Sequence, residues 1–276
     1  MNNICAGIVL YNPDIDKLTN NINSIINQVS VVLLQDNGSS NIKEIEELIK
    51  QWENVKLIHN PVNKGIAWAL NNLCKCALVA RYEWILTLDQ DSICPANMIF
   101  EFSKYLINAD MLCPKIIDKN YGLLDGGSEE IEPIKECITS GCLLRLSSWE
   151  KIQGFDETMF IDGVDFEFCY RMNQASMKIC RINNIVLYHE IGNITVRHFL
   201  GFNVIVKNHS AFRKYYIAKN IIYMARKRKS YLMLGKGILQ EVKLIAIVVL
   251  YEDDKKGKLM RIVKGMHDGF TERIGE

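Results

Sequence analysis

Two carboxylates one residue apart, Asp89 and Asp91 in the run Asp89-Gln90-Asp91-Ser92, follow directly on Trp84-Ile85-Leu86-Thr87-Leu88. Oxygen ligands at that spacing can hold a hard divalent cation, Mg2+ or Mn2+, and such a cation commonly bridges the phosphates of a nucleotide. The apolar run reads as a parallel strand buried on both faces, and ligands of open α/β sheets sit just beyond the carboxyl ends of such strands. The pair therefore suggests metal-assisted nucleotide chemistry. An Asp-x-Asp also occurs in ordinary solvated turns, so the reading needs support from elsewhere in the chain.

That support comes from the elements upstream. Ile4 to Tyr11 is a β-rich run closed by Asn12-Pro13, and Asp14 can cap a helix whose apolar positions Ile15, Leu18, Ile22, Ile25 and Ile26 recur at helical spacing. A second strand is predicted from Val29 to Leu34, then a helix through Ile45, Leu48, Ile49 and Trp52, and a short strand from Val55 to Ile58. A helix bearing Ala67, Leu70, Leu73 and Leu78 leads on to Trp84. Strands alternating with crossover helices make a parallel sheet of the nucleotide-binding kind. Its strands end in polar groups: Tyr11 and Asn12 after the first, Asp36 after the second, Asn63 and Gly65 after the third, and Asp89 and Asp91 after the fourth. Parallel strands present these ends on one edge, so groups spread over some 80 residues converge. No Gly-x-Gly-x-x-Gly follows the first strand and no lysine-bearing phosphate loop occurs, which sets aside dinucleotide dehydrogenases and P-loop enzymes; a sugar-phosphate nucleotidyltransferase stays open as a class, although the glycine-rich loop with an activating lysine that it needs is absent.

Taken in order, Val9-Leu10-Tyr11-Asn12-Pro13, Gln35-Asp36-Asn37-Gly38-Ser39, Asn63-Lys64-Gly65-Ile66-Ala67 and Leu88-Asp89-Gln90-Asp91-Ser92 resemble the family 2 inverting glycosyltransferases of GT-A fold. The last segment is similar to bacterial rhamnosyltransferases of O-antigen and capsule assembly. Thr139-Ser140-Gly141-Cys142 and the stretch from Gly154 to Arg171 are similar to the family's acceptor-side segment. The resemblance implies a GT-A domain over residues 1–195 and a basic helical region over 196–276. It implies that Asp36 holds the nucleobase, that Tyr11, Asn12, Asn63, Gly65 and Asp89 contribute to the nucleotide-sugar site, and that Asp91, with Asp89 and His189, binds Mg2+ or Mn2+. Ser140, Gly141 and Glu167 fall on the acceptor side. The implied reaction is sugar transfer from a nucleotide-sugar donor, dTDP-rhamnose by branch or a UDP-hexose otherwise, to a lipid-linked saccharide. A non-catalytic nucleotide-sugar binding module is the alternative of another class.

Inverting transfer requires a base for the acceptor hydroxyl. Asp162-Gly163-Val164-Asp165-Phe166-Glu167 offers three carboxylates at a helix start, where ionised acids are favoured. Asp162 and Asp165, three residues apart, share a face, whereas Glu167 is turned about 200° from Asp165. The resemblance places the base on Asp165, and Val164, where the family commonly has Glu, leaves Asp162 as the second candidate.

The remaining composition sets the context. At 276 residues and 49% apolar content the chain can bury a sizeable core. Its nine cysteines are odd in number and embedded in apolar stretches, reading as reduced cytoplasmic thiols. Only Cys74 and Cys76 lie close along the chain, and no zinc set is expected of them. No secretion signal or membrane span is expected, and Leu244 to Leu250 reads as a buried helix segment. The net charge is +1, yet Ile191 to Gln240 carries ten Lys or Arg and no Asp or Glu, interleaved with aromatic residues. That pattern predicts a helical platform from about Arg197 onward, peripheral on the inner face of the cell membrane, and no nucleic-acid partner.

Overall fold

Seven consecutive apolar or small residues form β1 (Ile4–Leu10), and all seven are buried, as a strand covered on both faces demands. The computed structural model describes residues 3–118, 122–123, 127, 129–189, 195–199 and 202–274. Asp14 caps α1 (Ile15–Ile25) by accepting from the Lys17 amide at 3.0 Å, and the helix buries Leu18, Ile22 and Ile25. There follow β2 (Val32–Asn37), α2 (Ile42–Leu48) with a 3-10 turn over Ile49–Gln51, β3 (Val55–Asn60), α3 (Ile66–Val79) and β4 (Trp84–Asp89). The second strand starts later than its hydrophobic run and continues through Asp36 to Asn37, pairing Asp36 with Leu10 of β1 and His59 of β3. Asp36 is thereby part of the sheet and not of the loop after it.

Beyond β4 come α4 (Met98–Ser103), β5 (Met111–Asp118), β6 (Gly122–Leu123), β7 (Ile131–Pro133), β8 (Cys142–Arg145), α5 (Leu146–Lys151), α6 (Val164–Gln174) and β9 (Ile179–His189). The sheet has nine strands, ordered β3-β2-β1-β4-β8-β5-β9-β7 with β6 on β5. The four strands anticipated from the sequence are parallel to one another; β8 lies antiparallel between β4 and β5, and β9 is parallel to β5. Ile8, Leu34, Trp84 and Leu86 from the sheet join Ile22, Met98 and Phe102 from the helices in one buried core. Emptying a site such as Ile8 by truncation to Ala costs about 2–5 kcal/mol. The Arg145 guanidinium covers Trp84 at 4.3 Å, closing the far end of β4.

By its internal contacts the chain divides into Met1–Thr158 with Val164–Glu190, and Met159–Gly163 with Ile191–Glu276. The second unit does not begin as a helix. The β-branched residues Thr195, Val196, Val204, Ile205 and Val206 put a hairpin there, β10 (Thr195–Phe199) and β11 (Phe202–Val206). Helices α7 (Ala211–Lys227), α8 (Tyr231–Tyr251) and α9 (Lys255–Thr271) follow. Gly269 lets α9 lie against α7, since a Cβ there would meet the Lys219 carbonyl oxygen at 2.5 Å. The buried Glu252 receives Lys214 Nζ at 2.6 Å and Lys258 Nζ at 2.8 Å. Leu244 to Leu250 is helical as expected, but of that stretch only Val248 is fully buried. Among the described residues no helix is long and apolar enough to cross a membrane.

Candidate functional site

The carboxyl ends of β1, β2, β3 and β4 are cross-linked by their own polar side chains. The Tyr11 amide donates to Gln90 Oε1 at 2.9 Å, tying the end of β1 to the Asp-Gln-Asp turn. Asn12, at φ 47°, takes the Ser40 amide and hydroxyl on Oδ1, and its own amide donates to Ser39 Oγ at 2.8 Å. Asn37 Nδ2 donates to Asn63 Oδ1 at 3.0 Å and to the Gly65 carbonyl at 3.1 Å, while its Oδ1 receives the Lys64 amide. Gly65 has φ 91° and Gly38 has φ 87°; a Cβ on Gly38 would press on the Asn63 backbone amide at 2.7 Å, so this pair of loops demands glycine. Tyr11 stays half exposed, whereas Asn12, Asn63 and Gly65 shape the edge chiefly through this bonding.

Asp36 is expected to meet a nucleobase, yet its side chain is 0% exposed. Its oxygens accept the Gly38 and Ser39 amides, and Oδ2 bonds His59 Nδ1 at 2.8 Å. The group that reaches solvent is His59, 43% exposed, which sequence reading passed over. With a carboxylate on Nδ1 that nitrogen is the donor, and a neutral imidazole held this way presents Nε2 as an acceptor. No local signal points to it: His59 is the last but one residue of β3, and only the register of β3 on β2 sets it opposite Asp36.

At the end of β4 the backbone is held from three sides. Asn21 Nδ2 donates to the Asp89 carbonyl at 2.6 Å, the Asp89 amide donates to Ser140 Oγ at 3.1 Å, and Ser140 Oγ lies 2.7 Å from Ser92 Oγ. Ser140, expected on the acceptor side, is 2% exposed and braces the turn through its hydroxyl. Gly141, at φ 83°, donates to the Thr87 carbonyl at 2.7 Å, and a Cβ on it would strike Leu187 and Pro114. Asp91 is exposed at the tip, and among the described residues its carboxylate has no hydrogen-bond or ion-pair partner. A bridge between Ile93 and Tyr188 seats the end of β9 alongside this turn. His189 ends β9, but its side chain lies outside the described residues.

The acidic helix separates its three carboxylates. Asp165 stands half-buried in the first turn of α6, where the helix N-terminus favours a carboxylate. Glu167, expected on the acceptor side, is 2% exposed and accepts Arg171 Nε on Oε1 and Nη2 on Oε2, each at 2.7 Å; Arg171 Nη1 also holds the Ile152 carbonyl. It is a strut between α6 and the end of α5. Asp162 does not share a helix face with Asp165, because Asp162 (φ 65°) and Gly163 (φ 78°) adopt left-handed backbone ahead of α6. Its carboxylate is gripped by Arg213 through Nε and Nη2 at 2.8–3.1 Å, a bidentate pair.

Comparison with known proteins places this geometry. Residues 5–171 match the model of the glycosyl transferase family 2. The dTDP-rhamnosyl transferase RfbF of Shigella flexneri is 31% identical over 251 residues, covering 84% of this chain and 83% of that protein. Among solved structures, S. aureus TarS 1–349 in complex with UDP-GlcNAc superposes with a TM-score of 0.61 at 15% identity, over 98% of this chain and 81% of that one. GalNAc-T7 with UDP, GalNAc and Mn2+ gives 0.61 at 14% identity, over 98% and 56%. At such identities the structures show the fold alone, which is GT-A. With its parallel half-sheet, cross-linked strand ends and Asp89-to-Ser92 turn, the chain belongs to glycosyl transferase family 2 and is a glycosyltransferase.

Proposed function

We propose that this enzyme moves L-rhamnose from dTDP-rhamnose, with inversion, to a hydroxyl of a lipid-linked saccharide in surface polysaccharide synthesis. The observation that carries the reaction type is the Asp89–Ser92 turn, fixed by Asn21 and Ser140 while it leaves the Asp91 carboxylate open to solvent. The rhamnosyl donor is supported by the relative from Shigella flexneri and by the motif's Gln90 and Ser92.

Hard oxygen donors suit Mg2+ or Mn2+, with Asp91 as the leading ligand, Asp89 beside it and His189 at the adjoining strand end. The ion would offset the charge of the diphosphate leaving group. Asp165 takes the proton of the acceptor hydroxyl as that oxygen attacks the anomeric carbon and the bond to the diphosphate breaks on the opposite face. Asp162 is set back as base by its Arg213 pair. Asp36 acts through His59, whose Nε2 accepts the N3–H of thymine or uracil, while Tyr11, Asn12, Asn63 and Gly65 form the walls around the nucleotide.

Helix α8 supports the peripheral membrane reading. Leu232, Leu239, Val242, Ala246, Val249 and Leu250 are exposed and fall within about 100° of arc at 3.6 residues per turn, with Lys236 and Lys243 along one margin. An apolar stripe edged by lysines fits the interface of an anionic bilayer on the cytoplasmic side.

A donor panel of dTDP-rhamnose, UDP-glucose, UDP-galactose and UDP-N-acetylglucosamine, scored for metal-dependent hydrolysis and thermal stabilisation, tests the assignment. Selective use of dTDP-rhamnose is expected. Preference for a UDP-hexose overturns the donor, and inertness toward all four points instead to a non-catalytic binding module.

A further inference from the structure

Four of the nine cysteines, drawn from two strands, a loop and a helix, come together in space. Cys113 comes from β5, Cys137 from the loop ahead of β8, Cys142 from the first position of β8, and Cys169 from α6. The Sγ atoms of Cys113, Cys137 and Cys142 all lie within 4.8 Å of one another. Cys137 Sγ is 3.7 Å from Cys142 Sγ and 3.9 Å from Cys169 Sγ. Thiolates bound to one tetrahedral Zn2+ at 2.3 Å stand about 3.8 Å apart, so Cys113, Cys137 and Cys142 lie close to the spacing that a shared ion imposes, and Cys169, in reach of Cys137, stands next to them as the fourth sulfur. Cys74 and Cys76, the pair that is close in sequence, take no part.

We propose that Cys113, Cys137, Cys142 and Cys169 form a structural site for one thiophilic divalent cation, of the zinc class, separate from the oxygen-lined Asp89/Asp91 site. Soft sulfur donors select Zn2+ over the Mg2+ or Mn2+ that carboxylates favour. Binding replaces the thiol protons, which leave to solvent.

The position gives the ion a purpose. Cys137 and Cys142 bracket Ile138-Thr139-Ser140-Gly141, the segment whose Ser140 Oγ braces Asp89 and Ser92 and whose Thr139 carbonyl accepts from Thr87 Oγ1 at 2.6 Å. Cys169 lies one helical turn after Asp165. An ion on the four sulfurs staples the brace of the metal-carboxylate turn to the helix that carries the base. The inference stands on the thiol geometry and not on the donor or acceptor assigned above.

The full chain, purified without chelators, is analysed by mass spectrometry for metal content and exchanged with Co2+. About one zinc per chain is expected, together with a thiolate-to-cobalt charge-transfer band in the near ultraviolet. Cys137→Ser and Cys169→Ser should lose the metal and the band and melt lower, whereas Cys76→Ser keeps all three properties. Should the serine variants fail to fold, the wild-type zinc content and cobalt spectrum decide alone. Folded wild-type protein with neither zinc nor cobalt band overturns the site, as does recovery of a Cys137–Cys142 disulfide by peptide mapping.

Discussion

Substituting Glu167 with Gln separates a strut from an acceptor contact. Both Glu167 oxygens take guanidinium N–H bonds from Arg171 at 2.7 Å, with 2% of Glu167 and 21% of Arg171 exposed. An amide can accept only one of those two bonds and turns its own donor toward the cation. Breaking a buried pair from one side costs about 3–5 kcal/mol, and the partial exposure of Arg171 lowers the expectation to about 2–3 kcal/mol. In a unit of this size each kcal/mol is about 2–4 °C, so Tm should fall by roughly 5–10 °C. Because Glu167 points away from the Asp165 face, kcat/KM well below Tm should stay within about tenfold of wild type. Thermal unfolding by circular dichroism and steady-state transfer assays measure the two effects. An unchanged Tm with activity reduced more than about a hundredfold would refute this reasoning and return Glu167 to the acceptor site.

Other outcomes follow from single contacts. Glu241 is fully buried, its two oxygens lack hydrogen-bond partners among the described residues, and burial pushes its carboxyl up to about 7. A raised acid pKa favours the native state below the unfolded value near 4.5 and gives that advantage up as pH rises through 7. Glu241→Met should therefore flatten a slope of about 3 kcal/mol between pH 4.5 and 7 in urea unfolding; a slope that persists contradicts the assignment. His59→Ala should raise KM for the nucleotide donor about tenfold or more, and unchanged donor binding would remove His59 from base recognition. Leu239→Glu combined with Val242→Glu on α8 should abolish sedimentation with anionic vesicles while leaving donor hydrolysis in place, and unaltered sedimentation would refute the membrane face.

The parallel half of the fold was legible because buried strands write continuous apolar runs and their helices write a 3.6-residue period. Strand ends resisted: Val29 and Asp36 trade places inside and outside β2 because register with β1 and β3, a long-range property, decides where the strand stops. The β10–β11 hairpin was hidden under a charge pattern that suggested a helical platform, although its β-branched residues marked it. At the site, residue types were readable but allegiances were not. Nothing local reveals that Arg213, 51 positions away, holds Asp162, or that His59 stands between Asp36 and solvent. The cysteine cluster illustrates the same limit, since Cys113 and Cys169 meet Cys137 and Cys142 only when β5, β8 and α6 assemble.

In the proposed reaction Asp91 serves the donor side and Asp165 moves the proton. Asp165→Asn, assayed with dTDP-rhamnose, metal and acceptor, tests it most directly when donor affinity and transfer are measured on the same preparation. Donor Kd should stay within about threefold of wild type while kcat for transfer falls by about a hundredfold or more. Transfer within about tenfold of wild type, or loss of donor binding in step with transfer, would contradict the account.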